Sequence, residues 1–379
     1  MEGSWWKDEK DIKDEQKAVV NLKPNGKYLV LGPPGSGKTN LLLLRLKWLA
    51  ASGKKNVLFL TLGRSLSEFI KTGIGAKKIV EPEQIKTVMR WAMDLAADSA
   101  PNLLHHMPDS YEERRKYFSE HLNAITAKMP SGYYDAIVVD EVQDLQGSEL
   151  SILERLSPRI MAAGDSRQSI YSGNGIDAAL TAGFELKELQ FHYRIGKKIC
   201  SVADIVYPPG EDHPSLLQKC QYDEKLPSSA EPVGCNSLEE QCNRLVENVR
   251  LQLKSYPGES VGVLVPTFKN GILGALHDAL DGSEFCDLVE YHGEDGREFP
   301  PDKRVFVLTC HSAKGMEFRA VNLVAAERMY SGYLSKRTLQ FTSVTRAKTS
   351  LRVYYTGKLP LAMATAFATE QVPDLGSII

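Results

Sequence analysis

Gly32-Pro33-Pro34-Gly35-Ser36-Gly37-Lys38-Thr39 follows directly on the apolar run Tyr28-Leu29-Val30-Leu31 and leads directly into the leucine-rich stretch Asn40 to Ala51. The octapeptide fits G-x-x-x-x-G-K-[ST], and its setting, strand before and helix after, is the one this pattern needs to bind phosphate. Glycines let the loop curl until its amide N–H groups point at phosphate oxygens, and the helix N-terminus adds partial positive charge. Lys38 is placed to reach the outer phosphates and the Thr39 hydroxyl to bind Mg²⁺. The pattern predicts nucleotide binding and does not separate a kinase, a switch GTPase, a transporter ATPase and a motor.

A second run, Ala136-Ile137-Val138-Val139, ends in Asp140-Glu141. A buried strand that delivers two adjacent carboxylates at its C-terminal end puts them where ligands of open α/β sheets sit. Asp140 is expected to hold the Mg²⁺ shell, and Glu141 to orient and deprotonate water, which favours hydrolysis over phosphotransfer.

Working outward, Val57 to Thr61 and Ile160 to Ala163 also read as strands buried on both faces, as do Val261 to Val265, Val305 to Thr309, Val321 to Val324 and Leu351 to Tyr355. Strands alternating with helix-length segments predict an α/β protein with parallel sheets, in two domains: residues 1–185 with the phosphate loop, and 186–379. Between Glu81 and Gly132 the strand signal stops and apolar residues recur at helical spacing, so a small helical insertion is expected at about 83–132. Residues 208–234, rich in proline, serine and charge, read as a long loop in the second domain.

Composition bounds the rest. At 379 residues, 42% apolar and 25% charged, the chain is large enough to bury cores without staples. A net charge of −2 provides no global field to attract nucleic acid or anionic lipid, so such binding requires a local patch. The six cysteines fall in the second half with no C-x-x-C pair, which predicts reduced thiols and argues against zinc. The longest apolar run stops at Arg45 and the start is polar, so a cytoplasmic protein with no membrane partner is expected. Trp5-Trp6 reads as a docking contact and His105-His106 as a solvated pair.

Seven segments in one order carry a more specific likeness. Asp14-Glu15-Gln16, the phosphate loop, Asp140-Glu-Val-Gln-Asp144, Gly164-Asp-Ser-Arg-Gln168-Ser-Ile-Tyr171, Phe191-His-Tyr193-Arg194, His311-Ser-Ala-Lys-Gly-Met-Glu317-Phe318 and Val344-Thr-Arg346-Ala-Lys348 resemble motifs of the UvrD/Rep-like superfamily 1 helicases. The resemblance implies two RecA-like P-loop NTPase domains and an ATP-dependent helicase or translocase on single-stranded DNA, with 3′-to-5′ polarity and ATP and Mg²⁺ as cofactors. It leaves RNA open. Carried over residue by residue, Gln16 would read adenine, Tyr193 would stack on it, and Asn40 stands where the family's adenine-gripping arginine stands. Arg346 would be an arginine finger, Arg194 a second γ-phosphate contact, Gln168 the link from phosphate to nucleic acid, and Glu317 a ribose or phosphate-side contact. Thr61, Arg64, Tyr171 and His311 are the implied nucleic-acid contacts.

Two departures qualify that reading. Leu62 and Gly173 stand where the family places base-stacking aromatics. Each stack contributes about 1–3 kcal/mol, and Arg64, Tyr171, Arg167 and Trp91 are the candidates to compensate. Only about 120 residues separate Arg194 from His311, which leaves no room for the large accessory domain of bigger relatives. An alternative from another class therefore stands beside the first: an ATPase subunit gated by nucleic acid or by a partner such as a nuclease, in a DNA repair or anti-phage assembly, without unwinding of its own.

Overall fold

The structure, a computed structural model, describes residues 8–75, 80–171, 173–210, 214–223, 225–292 and 299–370. These fall into two compact units: 8–32 with 37–189, and 190–370 with 33–36. Trp5, Trp6 and Ser172 lie outside the described residues.

The first unit runs α1 (Asp14–Val20), β1 (Gly26–Leu31), α2 (Lys38–Ala51), β2 (Val57–Thr61), α3 (Arg64–Gly75), β3 (Ile85–Thr87), α4 (Val88–Ser99), α5 (Asn102–His105), α6 (Tyr111–Thr126), β4 (Ala136–Val139), α7 (Gly147–Leu156), β5 (Arg159–Gly164), α8 (Gly175–Thr181) and β6 (Glu185–Glu188). Its six strands are ordered β3-β2-β4-β5-β1-β6 and all pair in parallel. Helices cover the sheet because βαβ crossovers put them on its faces, so the inner strands are apolar on both sides. In β2 and β4 every residue is buried.

Helices α4 to α6 lie between Val88 and Thr126, and the stretch from Glu81 to Gly132 also holds a strand. Ile85–Thr87 pairs with Phe59–Thr61 as a three-residue edge strand. Three residues are too few to register as an alternating or continuous pattern. The helices join the same core as the sheet: Trp91, Phe118, Leu122 and Ile125 are buried with Leu60, Ile137 and Leu153.

The second unit runs α9 (Lys197–Val206), β7 (Ser229–Cys235), α10 (Leu238–Ser255), β8 (Val261–Val265), α11 (Ile272–Asp281), β9 (Val289–Tyr291), β10 (Val305–Thr309), β11 (Phe318–Leu323), α12 (Arg337–Val344), β12 (Ala347–Thr356) and α13 (Leu361–Glu370). Its sheet is again six-stranded and parallel, ordered β7-β12-β11-β8-β10-β9. Val261, Val263, Val305, Val307 and Ala320 pack with Leu245, Leu276 and Leu280 from α10 and α11. The stretch 208–234 is not wholly a loop, since its last residues form β7 along Ser350–Thr356. Pro232, which cannot donate to a ladder, is tolerated because β7 lies at the sheet edge. Among the described residues no helix is long and apolar enough to cross a membrane.

Candidate nucleotide site and its relatives

Register brings the first unit's candidates to one edge. Leu31 lies beside Gly164, Val139 beside Ala162 and Leu60 beside Val139. The loops that follow β1, β2, β4 and β5 therefore all leave the C-terminal edge of the sheet, where ligands of open α/β sheets bind. Gly32 to Gly37, Leu62-Gly63, Asp140-Glu141 and Asp165 to Gln168 are the residues on those loops, with Thr61 and Arg64 at the adjoining ends of β2 and α3.

In the phosphate loop, Gly35 and Gly37 have φ of 76° and 91°, a left-handed conformation that a side chain would strain. Gly37 caps α2, so Lys38 and Thr39 sit in its first turn. Lys38 Nζ donates to Gly32 O at 2.8 Å, which folds the ammonium back over the loop. Pro34, Gly35, Ser36 and Asn40 are buried, and Pro33 partly so. Gln16 is buried on α1, where its Oε1 accepts the Lys13 amide at 2.9 Å. The C-terminal end of that helix is held by Arg45 of α2, buried, whose guanidinium donates to Val20 O at 3.0 Å and also to Leu22 O and Lys23 O. Arg45 looked like a break in an apolar run; it is a clamp between the two helices that carry Gln16 and Asn40.

Thr39 Oγ1 donates to Asp140 Oδ2 at 2.6 Å. Burial pushes the Asp140 carboxyl up to about 6, the Glu141 charge adds to the rise, and the Thr39 hydrogen bond and Lys38 oppose it. The hydroxyl and carboxylate meet as a hard-oxygen pair that suits a small dication held by one or two carboxylates and substrate phosphates. Thr39 and Asp140 are the residues that would hold Mg²⁺.

Glu141 takes φ of 58°, rare for a non-glycine residue, with its amide bonded to Asp140 Oδ1 at 3.0 Å. Its Oε2 accepts Gln143 Nε2 at 2.5 Å, Gln143 Oε1 accepts the Asp165 amide at 3.1 Å, and Asp165 Oδ2 accepts Gln168 Nε2 at 2.8 Å. A chain of buried hydrogen bonds thus runs Glu141–Gln143–Asp165–Gln168. The sequence patterns assign no role to Gln143 or Asp165. Their signal is only that a buried polar side chain needs partners, which takes coordinates to find.

The departures also acquire physical reasons. A Cβ on Gly173 would lie 2.4 Å from the Asp144 carbonyl carbon, so no side chain fits where the family's tryptophan stands. Leu62 is half-buried against the core of the first unit. Of the proposed replacements, Trp91 is buried, its Nε1 donating to Tyr134 Oη at 3.1 Å, and Arg167 is buried too. Neither presents a face to a base. Arg64 is exposed, and Tyr171 is half-buried with its amide on Asp144 Oδ1 at 3.2 Å. Thr61 is buried, and its Oγ1 has no hydrogen-bond partner.

In the second unit, Glu317 and Arg346 directly precede β11 and β12 and so lie at the N-terminal edge of that sheet. Arg194 Nη1 meets Glu317 Oε2 at 2.8 Å. Burial pushes Glu317 up, but Arg194, Lys348 and Arg346 outweigh it and hold the carboxylate at about 2. Burial draws the Lys348 ammonium down to about 8, with Glu317 resisting. The Arg346 guanidinium is buried, donating to Thr342 O at 3.0 Å and Met316 O at 2.9 Å. The Glu317 carboxylate thus lies within the field of three cations, Arg194, Arg346 and Lys348. Tyr193, half-buried, precedes Arg194. His311 follows β10 at the opposite edge of the sheet, its ring 5.4 Å from that of exposed Tyr333.

Comparison with known proteins agrees with this division. The family model described as "AAA domain" matches residues 15–174, and the one described as "UvrD-like helicase C-terminal domain" matches 304–354. The chain resembles the UvrD-like helicases. A search of curated proteins gives no match. Among solved structures, the chain is similar to the C-terminal domain of a possible DNA helicase from Lactobacillus plantarum WCFS1, at 18% identity, covering 45% of this chain and 92% of that one, with a TM-score of 0.32. The UvrD-like motifs map onto both parallel sheets, as two RecA-like α/β domains require.

Proposed function

We propose that the protein is an ATP-dependent translocase or helicase on single-stranded DNA, of 3′-to-5′ polarity, with Mg²⁺ as its metal. The observation that carries this is the hydrogen-bonded chain from Glu141 through Gln143 and Asp165 to Gln168. In a simple kinase the base needs only its substrate. A base tied to a glutamine on the next loop of the sheet edge suits an enzyme whose hydrolysis answers to a second ligand. In this reading Lys38 and the backbone N–H groups of Gly35, Ser36 and Gly37 bind the phosphates, and Thr39 and Asp140 would hold Mg²⁺, which would supply charge neutralisation at the phosphates. Glu141 accepts the proton of the attacking water. Arg194 and Arg346 supply positive charge to the γ-phosphate, Gln16 and Tyr193 hold the base with Asn40 beside them, and Glu317 keeps Arg194 in place. Thr61, Arg64, Tyr171 and His311 are the proposed strand contacts.

The blocked Gly173 position favours a second reading, an ATPase gated by nucleic acid or by a protein partner that does not unwind by itself. ATP turnover with and without single-stranded DNA, duplex DNA and RNA, followed by strand displacement, tests both. Stimulation with displacement supports the motor. Stimulation without displacement supports the gated ATPase. No stimulation by any nucleic acid counts against the motor.

A further inference from the structure

His192, Cys200 and Cys220 are separated in sequence by spacings that fit no zinc pattern, yet their ligand atoms all lie within 4.8 Å of one another. From the geometry of this cluster we infer that the three side chains form a structural site for a thiophilic divalent cation, zinc by ligand type, beside the Tyr193-Arg194 segment.

Tetrahedral zinc with bonds of about 2.3 Å to sulfur and 2.0–2.1 Å to nitrogen sets its ligands roughly 3.5–3.8 Å apart. His192 Nε2 lies 3.7 Å from Cys200 Sγ. The sulfurs converge on one further atom, since Ile195 O is 3.5 Å from Cys200 Sγ and 3.3 Å from Cys220 Sγ. That carbonyl is the protein oxygen at hand for a fourth position. His192 is fully buried, its Nδ1 has no hydrogen-bond partner, and Nε2 lies 2.8 Å from Leu216 O. Nε2 is the nitrogen that faces Cys200, so ligation of an ion takes Nε2 from Leu216 O and leaves the ring proton on Nδ1.

The backbone holds the three residues in place without the ion. His192 N donates to Lys219 O at 3.2 Å and Gln221 N to His192 O at 2.8 Å, which fixes Cys220 opposite the histidine. Asp204 of α9 accepts the Leu216 and Leu217 amides at 3.0 Å each, tying that turn to the helix that bears Cys200. Two thiolates balance a dication, so the loaded site is neutral and can be buried.

The test uses untagged full-length protein prepared without chelator. Elemental analysis is expected to find about one zinc per chain, and cobalt(II) added to metal-stripped protein to give a thiolate-to-metal charge-transfer band that zinc abolishes. Cys200→Ser with Cys220→Ser is expected to lose both signals, while Cys235→Ser with Cys286→Ser keeps them. Cys220→Ser alone, at the half-buried position, provides a milder variant expected to weaken zinc retention at least ~10-fold. A wild-type protein with neither zinc nor a cobalt band, or a double variant that keeps both, overturns the inference. None of these readouts involves ATP, so the result is independent of the proposed activity.

Discussion

Thr39 Oγ1 and Asp140 Oδ2 meet at 2.6 Å although 101 residues separate them. One sits in the first turn of α2 and the other just past β4, and the parallel register of β1, β5 and β4 brings them to the same sheet edge. Asp140 is fully buried beside a second carboxylate there, and both burial and that neighbour raise its pKa.

Asp140→Asn is accordingly expected to raise the melting temperature of ligand-free protein at pH 7–8 by a few degrees, since about 1 kcal/mol shifts a protein of this class by ~2–4 °C. The sign follows from linkage. A carboxyl raised from 3.8 to about 6 on folding makes the folded state bind the proton more tightly, so its contribution falls as pH rises through that window. The advantage of the variant should shrink below about pH 6. Thermal scans from pH 5 to 8 check this, and Mg²⁺ with nucleotide should stabilise wild type more than the variant.

Glu141→Gln should lower ATP turnover by ~10²–10⁴-fold while leaving nucleotide binding intact, because only the proton acceptor is lost. Gln143→Ala should lower kcat by ~10-fold with little change in KM for ATP, since Gln143 orients Glu141 and is not expected to touch nucleotide. Gly164→Ala should have a similar effect, as the added Cβ would lie 2.6 Å from Gln143 Oε1. Steady-state kinetics with a parallel binding titration separate the effects.

Glu317→Gln removes the carboxylate that Arg194, Lys348 and Arg346 hold ionised. Breaking such a pair typically costs ~3–5 kcal/mol, so the variant should be clearly destabilised at pH 7. A carboxylate lowered from 4.5 to about 2 contributes stability above pH 4.5 and loses it as pH falls toward 2. The gap between wild type and variant should therefore close in acid. Denaturant titrations at pH 7 and pH 3 measure it.

Restoring the two family aromatics should give opposite results. Gly173→Trp should misfold or destabilise the first unit, because the Asp144 backbone occupies the path of any side chain. Leu62→Phe, at a half-buried position, should be tolerated and tighten binding to single-stranded DNA by up to ~10-fold or more, in line with one stacking contact. Fluorescence anisotropy with a labelled oligonucleotide, alongside melting curves, distinguishes the two.

What the sequence made legible depended on position in the sheet. The eight strands read from it, β1, β2, β4, β5, β8, β10, β11 and β12, are the inner strands of both sheets. The four not read, β3, β6, β7 and β9, are the four edges. An inner strand sandwiched between helices must be apolar on both faces, which leaves a visible run. An edge strand such as Glu185-Leu-Lys-Glu188 meets solvent along one side and can be short and charged. For the same reason the first unit extends to Leu189, past the expected junction near 185. At the candidate nucleotide site, the residues proposed to touch phosphate or metal sit in fixed local patterns and could be named. Gln143, Asp165, Arg45 and the His192–Cys200–Cys220 cluster act through partners tens to over a hundred residues away or on a neighbouring loop, which no spacing rule encodes.

The most direct test of the central claim is the ATP turnover of the purified chain as single-stranded DNA is added, with Lys38→Ala and Glu141→Gln as inactive controls. Turnover that rises at least ~10-fold with the strand and disappears in both variants is the predicted result. Turnover that ignores every nucleic acid offered, or that survives in Lys38→Ala, would contradict the account.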